Sequence, residues 1–289
     1  MQRFPGSIQR RAEMKLRNIN RLFLLLTVAV SCVDEVYENE GIEREISIRV
    51  TSQDTKTSGI TDIVFDEGDC LSLFDSRGNN CLFEQDNAQP GAFVGKVHGE
   101  GAPTYAVYPY CESAAVVKGK IATVFPSHFE AIKSNSVICG MNLSVGEVIF
   151  SNDKYSAALK NVCGIVGVNI PEEVIGVSNI RLISKEGKAL SGRVQLDYNG
   201  GEPVVCSVES GEPSVDFDIA SDAQNKAEAG KYYFSILPGT YKGIRLEVTL
   251  LSGAVYSFES ENTLIVERNK RIFLKDIKLS DVQLAQRLQ

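Results

Sequence analysis

The chain has 289 residues, 43% of them hydrophobic, which is enough for a sizeable core, and a net charge of −7. With 30 basic against 37 acidic side chains and no Lys/Arg-rich segment, it offers no electrostatic footprint for nucleic acid. It has two histidines and no phosphate-binding, dinucleotide, nucleophile-elbow or zinc-protease motif. That leaves no readable catalytic centre, metal site or cofactor site, so the expectation is a protein that is not an enzyme.

Residues 22–30 form an apolar run, well short of the ~20 residues that span a bilayer but suited to the core of a secretory signal. Lys15, Arg17 and Arg21 precede it, Ala29 and Ser31 close it, and Met14 would begin a signal of ordinary proportions. The stretch AVSC (29–32) resembles the lipobox of bacterial lipoproteins, in which the signal is cut before a cysteine that is then acylated. Residues 1–31 are therefore expected to be removed and Cys32 lipidated. Two or more acyl chains anchor firmly, where one alone is marginal. Residues 1–31 hold six basic side chains and one acidic, so the chain from Cys32 onward has a net charge of −12. Residues 32–44 are acidic and without hydrophobic pattern, as a solvated tether would be. An outer-membrane, cell-surface location follows as the expectation.

From residue 45 strand signals dominate. EISIRV (45–50) places Ile46, Ile48 and Val50 in alternation with polar neighbours, the pattern of a half-buried strand. Residues 71–83 read as a hairpin about a Gly/Asn turn, and 243–258 as another about Ser252-Gly253. Further turns are marked by Glu186-Gly187 and by Asn199-Gly200-Gly201. The Ala-rich residues 221–231 suit a turn of helix in a loop. About 17 to 19 short strands with Gly-marked turns indicate β-sandwiches or barrels, and this length suits two sandwiches in series. The polar stretch 150–160 is the expected boundary, giving sandwiches at 45–152 and 156–280 and a short tail at 281–289. In that tail Ser280 and Gln283 have the spacing of a helix-starting capping box.

Beyond Cys32 the chain carries Cys70, Cys81, Cys111, Cys139, Cys163 and Cys206. Most stand in apolar segments without CxxC spacing, which favours buried thiols over disulfides, though the even number in an exported chain leaves disulfides open. His98 and His128 have no second metal ligand at a useful spacing. Asp216, Asp218 and Asp222 crowd together, but the positions where a calcium loop needs Gly and Glu hold Ser221 and Ala227. A solvated acidic loop is the reading. The absence of tryptophan counts modestly against a glycan-binding lipoprotein.

Seven segments together resemble the fimbrillin family of Bacteroidetes, the FimA/Mfa-like pilus proteins. They are TSQDTKTSGI (51–60), EGDCLSLFD (67–75), GAFVGKV (91–97), TYAVYPY (104–110), SAALKNVCGIVGVNI (156–170), ALSGRVQLD (189–197) and KYYFSILPGTY (231–241). An acidic stretch just after the lipidated cysteine also resembles a surface-export signal in that phylum. The resemblance implies an all-β fold of two tandem transthyretin-like (Greek-key) sandwiches and a structural role in a fimbria, as stalk, tip, accessory or anchor subunit. Its partners would be other fimbrial subunits, self or paralogous, and the outer membrane through the lipid. A host or bacterial receptor is not identified by the sequence. In polymerising members an arginine-specific protease removes the first strand, and a segment of the next subunit fills the groove by β-augmentation. On this chain Arg44 and Arg49 are the candidate processing sites, and Ile46, Ile48 and Val50 the candidate exchanged strand. Ile272, Leu274, Ile277 and Leu279 are the candidate C-terminal donor. The alternative from another class is a monomeric surface lipoprotein binding glycan or peptide on its loops.

Overall fold

The computed structural model describes residues 42–52, 65, 67–132, 142–170, 174–198, 201–219, 230–274 and 283–284. They belong to one compact unit, Gly41–Gln289. The expected signal, Cys32 and nearly all of the tether lie outside them, as do Cys139, Asp222, Ile277, Leu279 and the Ala-rich residues 221–229.

Every regular element among the described residues is a strand, and there are 20. The all-β expectation is met. The first half supplies β1 (Glu43–Ser52), β2 (Cys70–Phe74), β3 (Asn80–Gln85), β4 (Ala92–His98) and β5 (Tyr105–Tyr108). It continues with β6 (Ala115–Val117), β7 (Lys120–Phe125), β8 (His128–Ile132), β9 (Ser144–Ser151) and β10 (Lys154–Asn161). The second half supplies β11 (Gly164–Ile170), β12 (Val177–Ser184), β13 (Ser191–Asp197), β14 (Val204–Glu212) and β15 (Ser214–Ile219). It ends with β16 (Gly230–Ile236), β17 (Gly239–Leu250), β18 (Val255–Val266), β19 (Arg271–Phe273) and β20 (Gln283–Leu284).

Seven strands close into a barrel in the order β1-β10-β9-β5-β2-β3-β4. Alternation along these strands sends Ile48, Leu71, Leu73, Phe83 and Phe93 inward, each fully buried. Phe65 packs edge-on against Phe93 and Tyr108, with ring centroids 5.0 and 5.2 Å away. Phe74, Val107 and Val145, on the outward phase of β2, β5 and β9, are buried as well. They meet Ile121, Phe125, Val194 and Leu196 of a four-stranded sheet ordered β14-β13-β7-β6. The remaining strands make a sheet of three, β16-β11-β19, and a sheet of six, β20-β18-β17-β12-β15-β8, which share a core around Phe217, Phe234 and Leu246.

Several expectations are corrected by these pairings. Residues 150–160 are no linker: they are most of the β9–β10 hairpin of the barrel, turning at Asn152 and Asp153 in the left-handed region. Their polarity is that of a protruding hairpin tip. Nor do the halves fold in strict series, because β7 pairs with β13 and β8 with β15. Glu43 and Arg44, expected at the end of the tether, begin β1. The turn expected at Glu186-Gly187 is present, the Gly187 amide donating to the Ser184 carbonyl, and it joins strands of two different sheets. In the tail Gln283 and Leu284 pair antiparallel with Ser257 and Tyr256, so there the capping-box spacing gives way to a sheet edge. Of the candidate donor residues, Ile272 and Leu274 pack on the core shared by the sheets of three and six strands.

Candidate functional site

The closing strand of the barrel is β1. Without it the order β10-β9-β5-β2-β3-β4 is an open sheet whose two edges are β10 and β4. β1 joins these edges with two ladders of opposite sense. It runs antiparallel to β4 from Glu43↔His98 to Arg49↔Ala92 and parallel to β10 from Ile48↔Tyr155 to Ser52↔Leu159. The two registers overlap only at Ile48 and Arg49. The first half of the strand is therefore laddered on one side alone.

Period-two alternation decides what each side chain does. Ile46, Ile48 and Val50 face the barrel interior, the last two 0% and 2% exposed. Such burial is worth roughly 1.5–3 kcal/mol per side chain. Arg44 lies on the same phase, where a charge would be unwelcome if it had to enter the core. Its guanidinium instead turns across the barrel mouth. Nε donates to the carbonyl oxygen of Gly99 at 3.0 Å, one terminal nitrogen to that of Gly101 at 2.5 Å and the other to the Tyr155 hydroxyl at 3.2 Å. The Tyr155 bond reaches β10 over the part of β1 that has no ladder on that side. Arg49 is on the outward phase, exposed, in the stretch paired on both sides. Glu43, also outward, meets Lys96 at 3.0 Å, but both are half exposed, so the pair contributes little.

Of the two candidate processing arginines, then, one is bound by three acceptors and the other presents its side chain to solvent from a doubly paired backbone. No exposed loop carries either. The three candidate exchange residues are brought together as one apolar row filling the slot between β4 and β10. Sequence reasoning missed the Arg44 acceptors, since two are backbone carbonyls. The available signal was parity: Arg44 shares its phase with Ile46, Ile48 and Val50.

His98 lines an open groove of about 450 Å³ on the outer face of β3 and β4, with Glu84, Lys96 and Tyr110. His128 is not isolated as its sequence neighbourhood implied. The parallel pairing of β8 with β15 sets its Nδ1 2.8 Å from Asp216 Oδ2, and its Nε2 3.8 Å from Asp218 Oδ2. The Asn179 amide donates to both carboxylates, at 3.1 and 2.9 Å, which ties the cluster into the exposed sheet face. Among the described residues no group of three or more His, Cys, Asp or Glu is arranged to hold a metal ion.

The five described cysteines are free thiols. Cys81 and Cys163 are buried, Cys70 and Cys111 intermediate and Cys206 exposed. Burial pushes the Cys81 thiol up to about 11 and that of Cys163 further still. For Cys111 burial acts upward but is outweighed by hydrogen bonding, chiefly from the Ser113 side chain, so its thiol lies below the ordinary range.

Neither a protein-family model nor any curated protein matches the chain. Solved structures similar to it include a candidate cell adhesion protein from Bacteroides ovatus, at 12% identity and a TM-score of 0.47 over 85% of this chain and 97% of that one. A fimbrial protein from Bacteroides ovatus is similar at 16% identity and a TM-score of 0.38, over 81% of this chain and 49% of that one. The fimbrial anchor protein Mfa2 from Porphyromonas gingivalis is similar at 15% identity and a TM-score of 0.33, over 76% of this chain and 82% of that one.

Proposed function

We propose that the chain is a structural subunit of a cell-surface fimbria, exported as a lipoprotein through Cys32 and assembled by exchange of strand β1. The observation that carries this reading is the position of β1: this one strand, the first among the described residues, closes the barrel, and withdrawing it uncovers two unpaired edges and an apolar row. Unpaired edges beside an apolar groove are a template for a strand from another chain. Support from the sequence is the AVSC stretch and the seven segments of fimbrillin character.

Cutting at the two arginines would have different consequences. Cleavage after Arg44 would leave Ile46, Ile48 and Val50 attached and in place. Cleavage after Arg49 would release Ile46 and Ile48 together with the lipid-bearing N-terminus, and so open the slot. Arg49 is paired on both sides, so a protease must first find β1 transiently lifted. The uncut chain keeps both its lipid and a closed barrel.

The test uses the native outer-membrane fraction on a denaturing gel, unboiled and boiled. The expected result is a ladder that collapses on boiling to one band whose N-terminus is Val50. Arg49→Lys should stay full length and lose the ladder, whereas Arg44→Lys should still be trimmed. A single full-length band for the wild-type chain in both lanes would contradict assembly by trimming.

A further inference from the structure

We infer that the mouth of the barrel holds a preformed guanidinium pocket that selects which strand can occupy the β1 slot. The inference rests on the slot reading above and adds to it the chemistry by which an incoming strand is recognised. Its walls are the carbonyl oxygens of Gly99 and Gly101 and the hydroxyl of Tyr155, bonded to Arg44 at 3.0, 2.5 and 3.2 Å.

The pocket belongs to the barrel and not to β1. Gly99 sits at φ +84°, a left-handed backbone that side chains rarely adopt. At Gly101 a Cβ would come within 2.4 Å of Ser76 Cβ, so only glycine fits against the β2–β3 turn. Two glycines thus aim two carbonyls at one point. Tyr155 packs partly on the barrel core and against Phe150, with ring centroids 4.7 Å apart. The acceptors therefore remain when β1 leaves.

Only one side chain answers all three. Arg44 spends each of its three nitrogens on a different acceptor, using the planar fork that arginine alone carries. A lysine ammonium is a point charge on a flexible stem and cannot span the three positions. An apolar residue would leave the acceptors to water and supply none of the three hydrogen bonds. A strand that replaces β1 must therefore bring arginine two residues before its first inward apolar residue, and because a copy trimmed after Arg49 has lost Arg44, that strand comes from a different subunit. The required pattern is Arg-x-apolar-x-apolar-x-apolar, read off Arg44, Ile46, Ile48 and Val50.

The experiment uses the full chain cut after Arg49, so that the severed strand can leave, and an excess of labelled synthetic peptides of sequence IEREISIRVTS (42–52), offered in mild denaturant and then returned to native buffer. Peptides carry Arg, Lys or Met at the position of Arg44, and incorporated label is measured after gel filtration. The arginine peptide should be taken up roughly tenfold or more above the other two. In a Tyr155→Phe chain, which keeps the ring and its packing, that margin should narrow. Equal uptake of all three would overturn the pocket while leaving strand exchange standing. Uptake of none would overturn exchange at this slot and the pocket with it.

Discussion

Arg44 and Arg49 stand five residues apart on one strand and behave oppositely because a strand alternates its faces. The same contrast of setting divides the thiols. Cys163 is fully buried, and Cys81 nearly so with its thiol near 11, so neither holds appreciable thiolate at pH 8. Cys206 is exposed, and Cys111 lies below the ordinary thiol range. A maleimide pulse at pH 8 followed by peptide mapping should therefore label Cys206 and Cys111 first. Cys81 and Cys163 should label only on unfolding, and rapid native labelling of Cys163 would contradict its burial. Here the sequence reading was half right. KNVCGIVGV does hide its cysteine, but PVVCSV belongs to β14, whose residues are almost all exposed. An apolar hexamer marks a strand without telling whether the sheet is covered there.

At the scale of elements, β1 is held by three apolar side chains, two partial ladders and one guanidinium. Ile48→Ala removes a fully buried side chain from the middle of that row and should cost about 2–5 kcal/mol. Arg49→Gln, on the solvent side of the same strand, should change stability by no more than about 0.5 kcal/mol. Denaturant unfolding of both variants decides whether the alternation is as described, and equal losses would contradict it. The alternation itself was legible in EISIRV, because period two is a local property. So were the β2–β3 and β17–β18 hairpins, whose turn residues sit between paired runs. The strand's two partners were not legible. β4 lies about fifty residues downstream and β10 more than a hundred, and no local signal specifies a parallel ladder at that separation. For the same reason the pairing of β7 and β8 with second-half strands was invisible, and His128 looked solitary until β15 placed Asp216 beside it.

At the scale of the whole molecule, the barrel is joined to the second half by polar as well as apolar contacts. Asn161, at the end of β10, donates from its buried amide to Asn269 Oδ1 at 2.9 Å and accepts from Ser144 at 3.0 Å. Lys160 and Arg268 both reach Glu202, and the Lys160 hydrogen bond, with Arg268 adding, holds that carboxyl below its usual range. The end of β10, one edge of the slot, is thus braced against the second half, as expected of a receptor that must outlast the departure of one strand. The central claim is that β1 moves as a unit while the rest stays folded. It is tested most directly by locking the strand: Ser47→Cys with Val94→Cys places two thiols directly opposite each other across the β1–β4 ladder. The oxidised double variant should fold and reach the surface, yet take up no arginine peptide and enter no ladder, and reductant should restore both. Uptake unchanged between oxidised and reduced forms would contradict the account.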